Sequence, residues 1–555
     1  MLLAAVAAYG AGLDYPLFFD DHEAITDNPS LRRLADAWSP PTQTPTAGRP
    51  LVNLSFALNY ALSADEPRGY RLLNLGLHAL NAVLAWLLLR SLLRRPVVSA
   101  ALRARAEGCA RAVALIWLLH PLASETVAYL TQRTELMAAT FYLLTLLLAV
   151  RAFSAERAQR GVVWSAACVA ACLLGSLCKE TIVSAPLLVL LIDRAFFSAS
   201  FAAALRARAV MYAGLLLTWV SIAWMLAGSP RGQTAGLGLG VGPLEHLATQ
   251  GSIISWYLRL AFWPSPLSIT YDWPLAQPLY RYAAQDALVA GLAGATLWLC
   301  ARRLWIALPG VLFFGVLAPS SSVVPVLGEL AAERRMYLPL LALICLVVCV
   351  AAWRLAPGRW LARGLVGLVA LGCGLGTAAR VDVYRSELSL WQDTFAHQPS
   401  NPIAMWGTGD ALARAGRFDE ALAMYERMAA EPHPYRGPFS WGSRGLFAAA
   451  SIHARRGDRA LARATTVRAF GHDPRSPLGT LFRAATLRKQ GQREQAAAVL
   501  EAAVRQPHLR GAAQLMLSQV YAERGDHDRA RALLANAAPD NTPEARALAS
   551  QLLSL

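Results

Sequence analysis

The sequence predicts an all-α protein: a polytopic bundle of about eleven membrane helices followed by a soluble helical solenoid. Three observations carry this. The chain has 555 residues, 55% of them hydrophobic and only 16% charged, with a mean hydropathy of +0.37. That is too apolar for a soluble protein of this size. Up to about residue 380, apolar runs of roughly 17–22 residues recur, long enough to cross a bilayer as helices. Beyond that point the sequence turns into Ala/Arg-rich helix with a regular glycine period. The expected division is a transmembrane domain over 1–379 and a repeat domain over 380–555.

In chain order, spans are expected near 1–17, 71–89, 108–122, 134–150, 161–178, 181–197, 209–227, 283–300, 304–319, 337–353 and 362–379. The first, MLLAAVAAYGAG, is short, lacks a basic leading region and precedes no cleavage site, so it reads as a span and not as a signal peptide. The segment LEHLATQGSIISWYLRLAFW, residues 244–263, carries His246, Gln250 and Arg259 and reads as an interfacial helix.

The net charge of +16 is not a nucleic-acid footprint, because it is dispersed. Arg90, Arg94, Arg95, Arg103, Arg105 and Arg111 fill one short gap between apolar runs, and Arg302 with Arg303 and Arg354, Arg359 and Arg363 fill others. These are expected to be cytoplasmic loops. Eleven crossings from an inner N-terminus put the C-terminal domain outside. Asp20, Asp21, Glu23, Glu125, Glu135, Glu329 and Glu333 then fall on or near the outer side. Lysine is almost absent (Lys179 and Lys489), a codon bias that suggests a GC-rich bacterial genome. The eight cysteines lie in or beside apolar runs from Cys109 to Cys373 and show neither a disulfide framework nor zinc spacing.

In the C-terminal part, Gly457, Gly491 and Gly525 recur every 34 residues, and Gly416 precedes them. Each has alanine five positions on: Ala421, Ala462, Ala496 and Ala530. A small residue at a tight inter-helix turn, then alanine where helices approach closely, is the tetratricopeptide pattern. Such arrays usually offer a concave surface to a peptide. A purely stabilising helical cap is the alternative.

Several clusters carry possible chemistry. In FFDDHEAITDNP, Asp20 and Asp21 are adjacent carboxylates at a membrane exit. Their repulsion is expected to raise one pKa and create a usable general base. A solvated, helix-capping loop is the bland alternative. HPLASETVAYLTQRTEL supplies His120, Glu125, Arg133 and Glu135, either functional or, in the case of Glu125 and Arg133, mutually paired. Lys179 and Glu180 in CKE have the same two readings. APSSSVVPVLGELAAERRMYLP supplies Glu333, Arg334, Arg335 and Tyr337. Arginine suits phosphate, and interfacial anchoring is the alternative. Arg49 in RPLVNLSFALNY is similar. No metal-ligand spacing, P-loop or GxSxG motif occurs.

These five motifs in this order, followed by the repeats, resemble the transmembrane and tetratricopeptide-repeat O-mannosyltransferases and their bacterial relatives. The resemblance runs over nearly the whole chain. It implies a GT-C membrane glycosyltransferase that takes sugar from a polyprenyl phosphate, with the catalytic carboxylate in the first outer loop, here Asp20 or Asp21. A bacterial relative would use undecaprenyl phosphate, and its sugar would be mannose or another hexose. The expected function is inverting transfer to Ser/Thr hydroxyls of envelope proteins at the periplasmic face of the inner membrane. The repeats would bind the polypeptide acceptor. The phosphate would be held by cations among Arg334, Arg335, Lys179 and Arg133, with no metal, no cofactor and no nucleic acid. Transfer to an envelope glycan or lipid, and a non-enzymatic membrane-anchored scaffold, are the alternatives.

Overall fold

A computed structural model of the chain describes residues 1–227, 242–321, 329–355, 358–431, 440–472, 477–506, 509–536 and 550. Residues 322–328 of the Ala318–Pro339 motif, and the end of the last repeat, lie outside them. All regular structure among the described residues is helical. The chain forms two compact units, Met1–His397 and Gln398–Leu555. The division falls after the helix Glu387–His397, later than the 379/380 boundary read from composition. The helix Arg359–Val383 runs past that boundary, and its Arg380 pairs with Asp393 of the next helix at 2.6 Å.

Among the described residues of the first unit, six helices are long and apolar enough to cross a membrane: Pro67–Leu93, Leu130–Phe153, Ala158–Ser176, Leu279–Arg302, Glu333–Arg354 and Trp360–Val383. Each coincides with an expected span, and together they mark a membrane protein. Trp360–Val383 shows why. Leu361, Leu368, Leu371 and Leu375 are each more than 60% exposed, an outward apolar face that only hydrocarbon satisfies.

The other five expected spans are helical too. Residues 181–197 belong to a bent pair, Glu180–Phe196 and Phe201–Ala207, at 110°. Leu2–Asp14 and Leu304–Leu317 are short apolar helices, and residues 209–227 form the 19-residue apolar helix Ala209–Ala227. Ala106–Leu119 has 14 residues, about 21 Å at 1.5 Å per residue. Its Val113, Trp117 and Leu118 are fully buried. Hydropathy reads such a helix as a span, although its apolar side chains face protein. The segment expected at the interface forms the helix Pro243–Phe262, with His246, Thr249, Gln250 and Tyr257 on its buried side.

The second unit follows its glycine period. Gly416, Gly457, Gly491 and Gly525 have φ of +76°, +83°, +79° and +85°, the left-handed conformation that glycine adopts without steric cost. Each ends the first helix of a pair. At Gly416 the closure is a Schellman motif: Arg417 N–H donates to Leu412 O at 2.9 Å, and Gly416 N–H to Ala413 O at 3.1 Å. Ala421, Ala496 and Ala530 are buried and Ala462 is half-buried, where paired helices meet.

Candidate functional site

The opening acidic motif is held by one short segment, Tyr129 to Thr131, which links the helix Ser124–Ala128 to Arg133–Phe153. Thr131 donates to Asp21 Oδ1 twice, from its backbone N–H at 2.8 Å and from its hydroxyl at 2.7 Å. Asp21 is fully buried, and its Oδ2 has no partner. Asp20 is half-buried. The Tyr129 hydroxyl accepts from the Asp20 backbone N–H at 3.3 Å. The two carboxylates are adjacent in sequence but differ in environment.

The backbone entering Asp20 is strained. Phe19 has φ of +53°, which costs a non-glycine residue about 1–2 kcal/mol. Strain of this kind persists only where surrounding contacts over-determine it. Phe18 and Phe19 both pack near Tyr129, with ring centroids at 5.3 and 6.3 Å. Just upstream, Arg71 donates to Tyr15 O, Pro16 O and Ala128 O at 3.3, 2.7 and 2.5 Å, tying the loop to the Tyr129 segment.

Arg334 completes the cluster. Its guanidinium donates to Glu125 Oε1 at 2.7 Å and bonds Glu329, while its backbone N–H donates to Glu125 Oε2 at 2.9 Å. Arg334 and Glu329 both act electrostatically on Asp20. Burial pushes Asp20 up to about 6, against the opposing pull of the Tyr129 hydroxyl and Arg334. Burial also raises Asp21 to about 6, opposed by Thr131, and raises Glu125, opposed by Arg334. The repulsion expected between Asp20 and Asp21 is the smallest contribution at Asp21. Desolvation, not the neighbouring charge, is what raises both carboxyls.

The other sequence candidates fall elsewhere. Glu125 pairs with Arg334 and not with Arg133. Arg133 is fully buried, with Nε on Asn74 Oδ1 at 2.8 Å, one nitrogen on Tyr70 O at 3.0 Å and another on Ser55 O at 3.2 Å. Its guanidinium lies 4.4 Å from the Phe56 ring centre. Its donors brace three helices. Lys179 takes Glu135 and not Glu180. Burial lowers Lys179, opposed by Glu135. Glu180 lies 3.9 Å from Arg49, so these four residues form a second charged group.

His120 accepts from Leu122 N–H at 3.2 Å through Nδ1, and its Nε2 meets Ala261 O at 3.1 Å. It caps the turn that follows the helix Ala106–Leu119. Glu333 accepts from Ser268 N–H at 2.5 Å and Tyr271 Oη at 2.6 Å. Arg335 donates to Leu330 O at 2.7 Å and Glu329 O at 2.5 Å. Tyr337 Oη meets His78 Nδ1 at 2.7 Å. These three organise backbone and core.

Sequence reasoning missed Tyr129, Thr131 and Arg71 as site residues. Arg71 opens an apolar run, where a charge is costly, and that signal was available. Nothing local distinguishes Tyr129 or Thr131 from their neighbours.

The tetratricopeptide repeat family matches residues 388–436 and 483–546. Protein O-mannosyl-transferase Tmtc3 of Drosophila melanogaster is 32% identical over 202 residues, covering 32% of this chain and 22% of that protein. TMTC3 of Homo sapiens is 28% identical over 189 residues, 31% of this chain and 19% of that protein. TMTC4 of Mus musculus is 24% identical over 487 residues, 76% of this chain and 64% of that protein. The chain spans about a fifth of the length of the first two relatives. In sequence over part of its length, and in its apolar helices and repeats, the chain is similar to the transmembrane and tetratricopeptide-repeat O-mannosyltransferases.

Proposed function

We propose that the protein is a GT-C-type inverting glycosyltransferase. It moves mannose or another hexose from a polyprenyl phosphate to Ser/Thr hydroxyls of envelope proteins, which the repeats hold. The observation that carries this reading is the contrast between the two acidic neighbours. Both are raised to about 6, but Asp21 is fully buried and committed to Thr131, whereas Asp20 is half-buried and feels the Arg334 charge.

In this reaction the acceptor hydroxyl gives its proton to the Asp20 carboxylate. Its oxygen forms a bond to the anomeric carbon from the face opposite the phosphate. The bond from that carbon to the phosphate oxygen breaks, its electron pair leaves with the polyprenyl phosphate, and the configuration inverts. A base poised near working pH suits this step. A preorganised cation favours departure of the phosphate. Of the four cations expected to hold it, Arg133 and Arg335 donate to backbone or core groups, and Lys179 is paired with Glu135, which is only 9% exposed. Arg334 is paired as well, but its partner Glu329 is 26% exposed, and that accessibility supports exchange of the Glu329 carboxylate for a phosphate.

The test is full-length protein reconstituted with polyprenyl-phosphate mannose and a Ser/Thr peptide. One hexose per modified hydroxyl, with inverted configuration, is the expected product. Failure with every hexose donor, and an envelope glycoprotein profile unchanged by deletion of the gene, would leave the scaffold reading. Transfer to lipid or glycan alone would move the acceptor class.

The arginine distribution supports a bacterial inner-membrane protein with site and repeats on the periplasmic side. A reporter fused after Leu555 is then expected to be active outside the cytoplasm, and one at Ala104 inside. A cytoplasmic signal after Leu555 would separate the repeats from the site.

A further inference from the structure

We infer that the helix Glu387–His397 is a positioning element of the transfer site, and that Trp391 holds the backbone carrying Asp20. This rests on the proposed role of Asp20. By sequence the helix starts the repeats, since the tetratricopeptide match begins at residue 388. By packing it belongs to the first unit, Met1–His397.

Two side chains of this region reach the acidic loop. The Tyr384 ring lies 5.4 Å from that of Phe18, and Trp391 meets Phe19 edge-on at 5.5 Å. Tyr129, which bonds the Asp20 backbone, is the other aromatic neighbour of both phenylalanines. The two residues before Asp20 are thus held by aromatic rings from two distant segments.

Phe19 explains why this matters. It is 44% exposed and has a left-handed backbone, so its own burial does not enforce its conformation. Contacts must hold it. Trp391 is only 2% exposed and sits on an anchored helix. Ser386 Oγ accepts from Ser389 N–H at 3.1 Å at one end, and Asp393 pairs with Arg380 at 2.6 Å further on. Arg380 is itself 7% exposed within the helix Arg359–Val383. The contact therefore references the Asp20 loop to a membrane helix. Without Trp391, Phe19 relaxes towards ordinary φ and carries Asp20 away from Tyr129. A displacement of about 1 Å at a reacting group costs about 100-fold in rate. The competing account is that Trp391 only fills space within the first unit. Filling space affects stability, not the placement of Asp20.

The experiment uses the full chain as wild type, Trp391→Ala, Trp391→Phe and Phe19→Gly, with polyprenyl-phosphate mannose and a Ser/Thr peptide. Trp391→Ala is expected to lower kcat about 100-fold with KM for the donor unchanged, and Trp391→Phe to restore most of it. Phe19→Gly removes the ring that Trp391 holds and leaves the backbone free on both sides of φ, so it is expected to lose kcat without loss of fold. Combining it with Trp391→Ala adds nothing, because both break one contact. Hydrogen exchange provides a readout independent of activity. The Asp20 amide is expected to exchange faster in Trp391→Ala, while amides at Lys179–Thr181 keep the wild-type rate. Additive losses, or wild-type kcat and exchange in Trp391→Ala, overturn the inference. If Trp391→Ala does not fold, Phe19→Gly with wild-type kcat and exchange overturns it. A wild type that transfers no sugar overturns the proposed function instead, and exchange still reads the positioning.

Discussion

Replacing Asp20 with asparagine is expected to reduce sugar transfer by about 10²–10⁴-fold, the range for loss of a general base. The substitution is nearly isosteric and keeps the backbone bond to Tyr129. It removes only the proton acceptor. Wild-type activity is expected to rise with pH through a one-proton limb near 6, where Asp20 loses its proton. The stability effect has the opposite sign. The folded protein holds the Asp20 proton more tightly than the unfolded chain does. This contribution to stability is complete below the unfolded pKa and is lost as pH rises through about 6. Asp20→Asn is therefore expected to be more stable than wild type at pH 7.5, by on the order of 2–3 kcal/mol, and equal to it near the unfolded pKa. Thermal unfolding in detergent at the two pH values measures this, and initial rates across pH measure the limb. Asp21→Asn should behave differently, since it disturbs two bonds to Thr131. Full transfer by an Asp20→Asn, Asp21→Asn double variant would refute the base assignment.

The repeats were legible in the sequence because their determinant is local. A left-handed helix terminus selects glycine, so Gly457, Gly491 and Gly525 announce their own conformation. The six long apolar helices were legible for the same reason, as length and hydropathy are carried within each segment. The burial of Ala106–Leu119 was not, because an apolar residue facing protein and one facing lipid look alike in one dimension. Ion pairing is set by the fold and not by proximity in sequence. Pairing of Glu125 with Arg133, eight positions on, was one of two readings, and its partner Arg334 lies 209 residues away. Pairing of Lys179 with Glu180 was likewise one of two, and Lys179 bonds Glu135, 44 residues back. The motif containing Asp20 was recognisable, yet its division of labour was not. Asp20 and Asp21 share their neighbours in sequence and differ through Tyr129 and Thr131, which arrive from more than a hundred residues away.

Arg334→Ala is expected to damage both fold and chemistry. It strips a fully buried Glu125 of its counter-ion, and breaking a buried pair on one side costs about 3–5 kcal/mol. It also withdraws a cation that lowers the Asp20 pKa, so the acidic limb of activity should move to higher pH. A loss of activity alone would not separate these effects. Two further variants do. Arg334→Lys keeps a charge for Glu125 but loses the planar fork, which also reaches Glu329. It is expected to fold, to keep the limb close to its wild-type position and to lose about 10²–10³-fold in kcat, the range for one lost donor to a developing anion. Arg334→Met combined with Glu125→Gln removes the pair together. Replacing both partners of a buried pair by neutral groups is often close to neutral for stability, so this variant should melt near wild type and still transfer no sugar. The three together distinguish a residue that only holds Glu125 from one that receives the phosphate. Arg334→Lys with wild-type kcat, or substantial transfer by the Met/Gln double variant, would assign the phosphate to another cation and leave Arg334 as the counter-ion of Glu125.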